Sequence, residues 1–75
     1  MAEQPLKWTE VYSRHVAQIA FGEDGLHAIF QDRSHWVYPD AGQDIFDLLE
    51  SDSSPGHIMH AIVKPLYGAS AYRIS

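Results

Sequence analysis

The side chains with the widest chemical range in this 75-residue chain are its five histidines. His57 and His60 stand three apart where a helix is expected, so both rings can face one side, as paired metal ligands do. His27 and His35 fall on one face of an expected sheet without being direct cross-strand neighbours. A metal site needs three or four converging ligands, and a helix face and an outer sheet face point apart. No metal and no other cofactor is therefore expected. The plainer reading is a solvated polar face of His57, His60 and Lys64, with the imidazoles gaining charge below about pH 6.5.

Covalent chemistry has less support. Ser13, Ser34, Ser51, Ser53, Ser54, Ser70 and Ser75 coexist with histidines and aspartates, but none sits in a strand–turn–helix nucleophile context. Gly22-Glu23-Asp24-Gly25 places two carboxylates where a phosphate loop would take an anion. The acids of 40–52 lack the spacing of a calcium loop. A chain this short also has little room for a water-excluding pocket. The expectation is a non-enzyme.

Positioning these side chains falls to a few short elements. Residues 1–12 read as a lead-in that is partly flexible, with Met1 to Pro5 offering little to pack and Trp8, Val11 and Tyr12 able to fold back as a short strand. Residues 13–67 read as the domain and 68–75 as a tail. Within the domain, Ala17, Ile19 and Phe21 alternate, two glycines frame a turn, and Leu26, Ala28 and Phe30 alternate again. Gln31-Asp32-Arg33-Ser34 turns into Trp36 and Tyr38. Pairing Phe21 with Leu26 and Phe30 with Trp36 puts the large apolar residues on one face. Val16, Gln18, Ala20, His27, Ile29, Gln31, His35 and Val37 fall on the other. Pro39 ends the sheet.

Helices follow. Asp40 with Gln43 resembles a capping box ahead of Ile45, Phe46, Leu48 and Leu49. Ser51-Asp52-Ser53-Ser54 stops that helix, and Ser54-Pro55 caps the next. Ile58, Met59, Ile62 and Val63 form its apolar face until Pro65 ends or kinks it at Lys64. The fold class expected is α+β: a three-stranded antiparallel meander followed by two helices packed on one face.

Placed on these elements, the chain resembles the KTSC domain family, a short bacterial and phage module found alone or fused after some lysyl-tRNA synthetases. The resemblance covers roughly residues 13–67. It rests on Ser13 with Val16, Ile19 with Phe21, the central Trp36-Val37-Tyr38, the helix start Ile45-Phe46, and a Gly-led helix from Gly56 to Tyr67. Trp36 replaces the first tyrosine of the central pair, His60 stands where an asparagine is common, and Pro65 interrupts the run to the last tyrosine. The resemblance implies a module for which RNA binding is suggested by the synthetase fusion.

Charge points elsewhere. The net charge is −5 at pH 7, which opposes sequence-independent attraction to nucleic-acid phosphate. Residues 22–52 hold Glu23, Asp24, Asp32, Asp40, Asp44, Asp47, Glu50 and Asp52 against Arg33 alone, a local balance of −7. Residues 53–75 carry only Lys64 and Arg73. The absence of cysteine excludes disulfides and thiolate zinc sites.

Asp40, Asp44, Asp47 and Glu50 line the helix face opposite Ile45, Leu48 and Leu49 without a compensating cation. Ile29 and Val37, flanked by His27 and His35, are expected to leave an apolar strip on the outer sheet face. These eight residues form the expected partner surface, suited to a basic region of a larger protein. In size and charge the chain is similar to phage-encoded regulators that bind bacterial RNA polymerase and inhibit initiation, acting in the cytoplasm as a monomer or weak dimer. The alternative is a small RNA-binding accessory domain of the KTSC type using Lys64, Arg73 and Arg14, which requires those cations to gather at one end. Phe30, Trp36 and Tyr38 can stack on bases, but their expected use is in the core under the helices.

Overall fold

The computed structural model describes residues 6–11, 13–51 and 54–75. The segment 1–5, Tyr12 and the link residues Asp52 and Ser53 lie outside the described residues. The fold is α+β, with one antiparallel sheet of five strands in the order β1-β2-β3-β4-β5. β1 (Thr9–Glu10), β2 (Val16–Gly22), β3 (Gly25–Phe30) and β4 (His35–Tyr38) come first. Helix α1 (Gln43–Ser51) and a second helical run follow, and β5 (Tyr72–Arg73) closes the far edge against β4.

The expected meander is thus the centre of a wider sheet. Two residues at each edge are too few to show a period-two pattern, although a short strand is expected around Trp8 and Val11. Thr9–Glu10 and Tyr72–Arg73 are nonetheless parts of the sheet. β1 pairs Thr9 with Ile19 and Glu10 with Gln18, and β5 pairs Tyr72 with Val37 and Arg73 with Trp36.

The β2–β3 register matches expectation, with Phe21 opposite Leu26 and Gly22 opposite Gly25. The β3–β4 register does not: Trp36 faces Ala28 rather than Phe30, and Tyr38 faces Leu26. The loop spans the expected residues 31–34, but its geometry moves the pairing. The Phe30 amide donates to the Ser34 carbonyl, Arg33 adopts a left-handed φ of 72°, and Asp32 accepts from the Ser34 amide at 2.9 Å. The shift is two residues, so every side chain keeps its expected face.

Val16 is the exception. An irregularity between Val16 and Gln18 turns Val16 onto the inner face, where it is fully buried with Ile19, Leu26, Leu49, Met59 and Val63.

α1 starts at Gln43, not Asp40. The Ile45 and Phe46 amides both donate to the Gly42 carbonyl, which makes Gly42 the entry position. Ile45 and Leu49 turn inward over β2 and β3. The second run begins at α2 (Pro55–Ile58), where the Ser54 carbonyl accepts from His57 and Ile58 as its predicted capping role requires. It then runs through Lys64 instead of ending there. A π-helical turn at Met59–Val63, closed by the Lys64 amide on the Met59 carbonyl, leads into α3 (Lys64–Tyr67). A proline ring clashes with the carbonyl four residues back in a regular helix, and the wider turn just ahead of Pro65 relieves that clash.

The outer sheet face is not an open apolar strip. Ala20 and Val37 are fully buried, His27 is 3% exposed, and Ile29 is half-buried. Trp8 covers this face, its ring 6.2 Å from His27 and 5.2 Å from His35, and Leu6 approaches Gly22 beside it. No helix among the described residues is long and apolar enough to cross a membrane.

Candidate functional site

A groove of about 580 Å³ opens on the inner face, at the end where β2 begins and the β3–β4 loop turns. Its walls come from four places in the chain. Arg14 and His15 lead into β2; Phe30, Gln31, Asp32 and Ser34 surround the loop; Trp36 and Tyr38 rise from β4; Lys64, Gly68 and Ala71 come from α3 and beyond. Alternation along β4 sends Trp36 and Tyr38 to the same side as Phe30, and the helical run stops short of covering all three. Phe30 and Trp36 remain half-buried while Tyr38 sits deeper, where burial raises its phenol above the ordinary value.

Gln31 fixes the cationic rim. Its amide donates to the His15 carbonyl, and its side-chain nitrogen donates to the Ser13 carbonyl at 3.0 Å. The Ser13 hydroxyl accepts from the His15 amide, so Arg14 sits in a pinned turn. Ser13 also lies against Gly56, where an added Cβ would come within 2.5 Å of its hydroxyl oxygen. The opening serine and the glycine of the second helix therefore fit each other.

Across the groove, the Lys64 ammonium stands 5.0 Å from the Phe30 ring centre. His15 meets His60 edge to face at 4.4 Å. Slight desolvation, then the charge of Lys64 and the rings of His15 and His57, hold His60 below the ordinary imidazole value. Such a site gains from an anion. Asp32 is the opposing charge on the rim, and the hydrogen bonds from the Ser34 hydroxyl and amide keep it a carboxylate by holding its pKa below the ordinary value. Cations on two sides of an aromatic floor, with amide and hydroxyl groups between, suit a flat ring carrying a negative group.

The three predicted cations lie at or beside the groove, Arg73 close enough for its charge to act on Asp32. Arg14 and Lys64 meet at this groove. Arg73 pairs with Trp36 in the sheet, and its side chain donates to the Ser75 carbonyl. The acids of the expected partner surface lie elsewhere: Asp44, Asp47 and Glu50 are exposed on α1. Gln43 donates to Asp47 and the Thr9 hydroxyl donates to Glu50. Asp40 is in the turn before α1 and accepts from the Ser70 hydroxyl at 2.7 Å, so it is off the helix face assigned to it. His27, His35, Ile29 and Val37 lie on the opposite side of the sheet, the two imidazoles under Trp8, and do not join the acids in one surface.

Sequence reasoning missed the contacts of that second cluster. His27 donates to Asp24 at 2.6 Å and meets His35 at 2.7 Å, a diagonal contact between β3 and β4. The signal available was the Asp24-to-His27 spacing across a tight turn. Among the described residues no three histidine, aspartate or glutamate side chains converge for a metal ion.

The class that fold and groove define is a small α+β module with a mixed cationic and aromatic cleft. No family model matches the chain, and no curated protein matches it.

Proposed function

We propose that this chain is a small RNA-binding accessory module whose groove holds one or two nucleotides of a single strand. The observation that carries the reading is the convergence of Arg14 and Lys64, far apart in sequence, on a cleft walled by Phe30, Trp36 and Tyr38. The resemblance to the KTSC family favours the same ligand. A surplus of carboxylates limits binding to short contacts, since a long phosphate backbone would meet the acids of residues 22–52.

Anisotropy of a labelled single-stranded RNA of a few nucleotides tests this. Two phosphate contacts give a slope of log K against log salt of about −1.4. DNA of the same sequence and a duplex serve as competitors, and both are expected to bind more weakly. Salt-independent binding, or none, would count against the groove.

A second reading rests on a separate observation. Among the described residues, Asp44, Asp47 and Glu50 are exposed and none pairs with a lysine or arginine. That face suits docking on a basic surface of a larger protein, bacterial RNA polymerase being the concrete case, with inhibition of initiation as the outcome. Asp44→Lys with Asp47→Lys should then abolish capture of purified polymerase and leave RNA affinity unreduced. Unchanged capture by the double variant would remove this reading.

A further inference from the structure

We propose that Asp24, His27, His35 and Trp8 form a proton-operated latch that holds the N-terminal strand on the sheet and lets it go in mild acid. The hydrogen-bond inventory dictates how it works. Asp24 is an acceptor, so His27 Nε2 donates to it at 2.6 Å. The other nitrogen of His27 then accepts from His35 Nε2 at 2.7 Å. This arrangement makes His27 neutral, and His35 is neutral as long as its Nδ1 carries no proton. One added proton is tolerated, because either ring can carry it while one hydrogen still bridges the pair. A second proton puts a hydrogen on both sides of the 2.7 Å contact and two positive rings against each other.

The release has one direction. His27 is 3% exposed and is held in the sheet opposite Ala20 and Val37, both fully buried. Trp8 stands edge to face against both imidazoles and is the only ring packed across the pair among the described residues. The segment carrying it is lightly held. β1 has two ladder positions, supplemented by the Val11 amide on the Ala17 carbonyl and the Thr9 hydroxyl on Glu50. Parting the rings therefore displaces Trp8 and β1 before it disturbs β2 to β4.

The charged groups acting on the pair are few. Asp24 faces it from the β2–β3 turn, while Lys7 and Glu10 flank Trp8 and point to solvent. β5 offers the uncharged Tyr72 opposite Val37, and the Ser75 carbonyl accepts from the His35 amide. Burial, then His27, lowers the His35 value below 6.5, with Asp24 opposing. A histidine with a depressed folded value leaves the closed state at full strength above the unfolded value. The closed state therefore weakens as pH falls below 6.5 toward the folded value, and the rings part once the second proton is taken up.

The test uses Trp36→Phe, which leaves Trp8 as the reporter because the chain has two tryptophans. Trp8 emission and amide exchange are followed from about pH 7.5 to about pH 5. The expected result is a joint transition in which the Thr9 and Val11 amides, which face β2, exchange about tenfold faster, after correction for intrinsic rates, while β2–β3 amides stay protected. In His35→Gln the side chain still donates to His27 but cannot become charged, and the transition should vanish. A transition retained in H35Q, an unchanged β1 through the titration of both rings, or loss of β2–β3 protection in the same step would each overturn the latch.

Discussion

Reversing both cations of the groove, Arg14→Glu with Lys64→Glu, should lower affinity for a short single-stranded RNA by about 100-fold. The two changes remove charge-assisted contacts worth about 1.5 kcal/mol or more each, and the new carboxylates repel phosphate. Both residues are exposed, and neither contributes to the buried core. The far-ultraviolet spectrum and melting temperature should therefore stay close to those of the parent. Isothermal titration beside a thermal melt separates a binding loss from a folding loss. Each single variant should fall between the parent and the double variant. The Lys64 change should also release its contact with Phe30, visible as a shift of the Phe30 ring protons.

The largest stability effect is expected at Gly25. Its φ of +113° lies in a region that side chains rarely adopt, and an added Cβ would stand 2.5 Å from the Tyr38 carbonyl oxygen and 2.8 Å from the Pro39 Cα. These are backbone atoms at the end of β4, so no rotamer change relieves the clash. Gly25→Ala should cost about 3 kcal/mol or more, combining strain at positive φ with displacement of the β4 end. For a domain of this size that corresponds to a fall in melting temperature of roughly 12 °C or more. Gly42→Ala is the control. There the nearest neighbour of an added Cβ is a carboxylate oxygen of Asp44 at 3.0 Å, which can swing away, and a change under about 1 kcal/mol is expected. If the two variants melt alike, the β2–β3 turn is not seated against β4 as described.

What the sequence disclosed follows from how far each signal reaches. Ile19, Leu26 and Tyr38 could be placed on the inner face because a period of two survives a loop error of two residues. The β3–β4 pairing was misjudged, since the left-handed Arg33 leaves no mark that a count of turn residues can detect. Val16 went to the wrong face for a related reason. The regular alternation of Ala17, Ile19 and Phe21 hides the irregularity that rotates Val16 inward. Trp8 is plainly a packing residue by type, yet only pairing of Thr9 and Glu10 with β2 brings it over His27 and His35. The histidine pair was thus read as part of an open surface when it lies beneath a cover.

The groove was less legible still. Arg14 and Lys64 carry no local motif, and Phe30, Trp36 and Tyr38 look like core in any strand pattern. They are core on one side. The helical run leaves their other side open, because α3 gives way to Gly68 and the chain turns off into β5. Net charge pointed the other way, since a total of −5 says nothing of where two cations meet. Length and sign bound the class of ligand, and tertiary convergence is what favours the one proposed.

Mapping amide shift changes on the isotope-labelled protein during titration with a short single-stranded RNA tests the central claim most directly. Changes are expected to concentrate at Arg14, His15, Phe30, Gln31, Ser34, Trp36 and Lys64, with Asp44, Asp47 and Glu50 unmoved. Saturating RNA that leaves the groove amides in place, or shifts centred on α1, would contradict it.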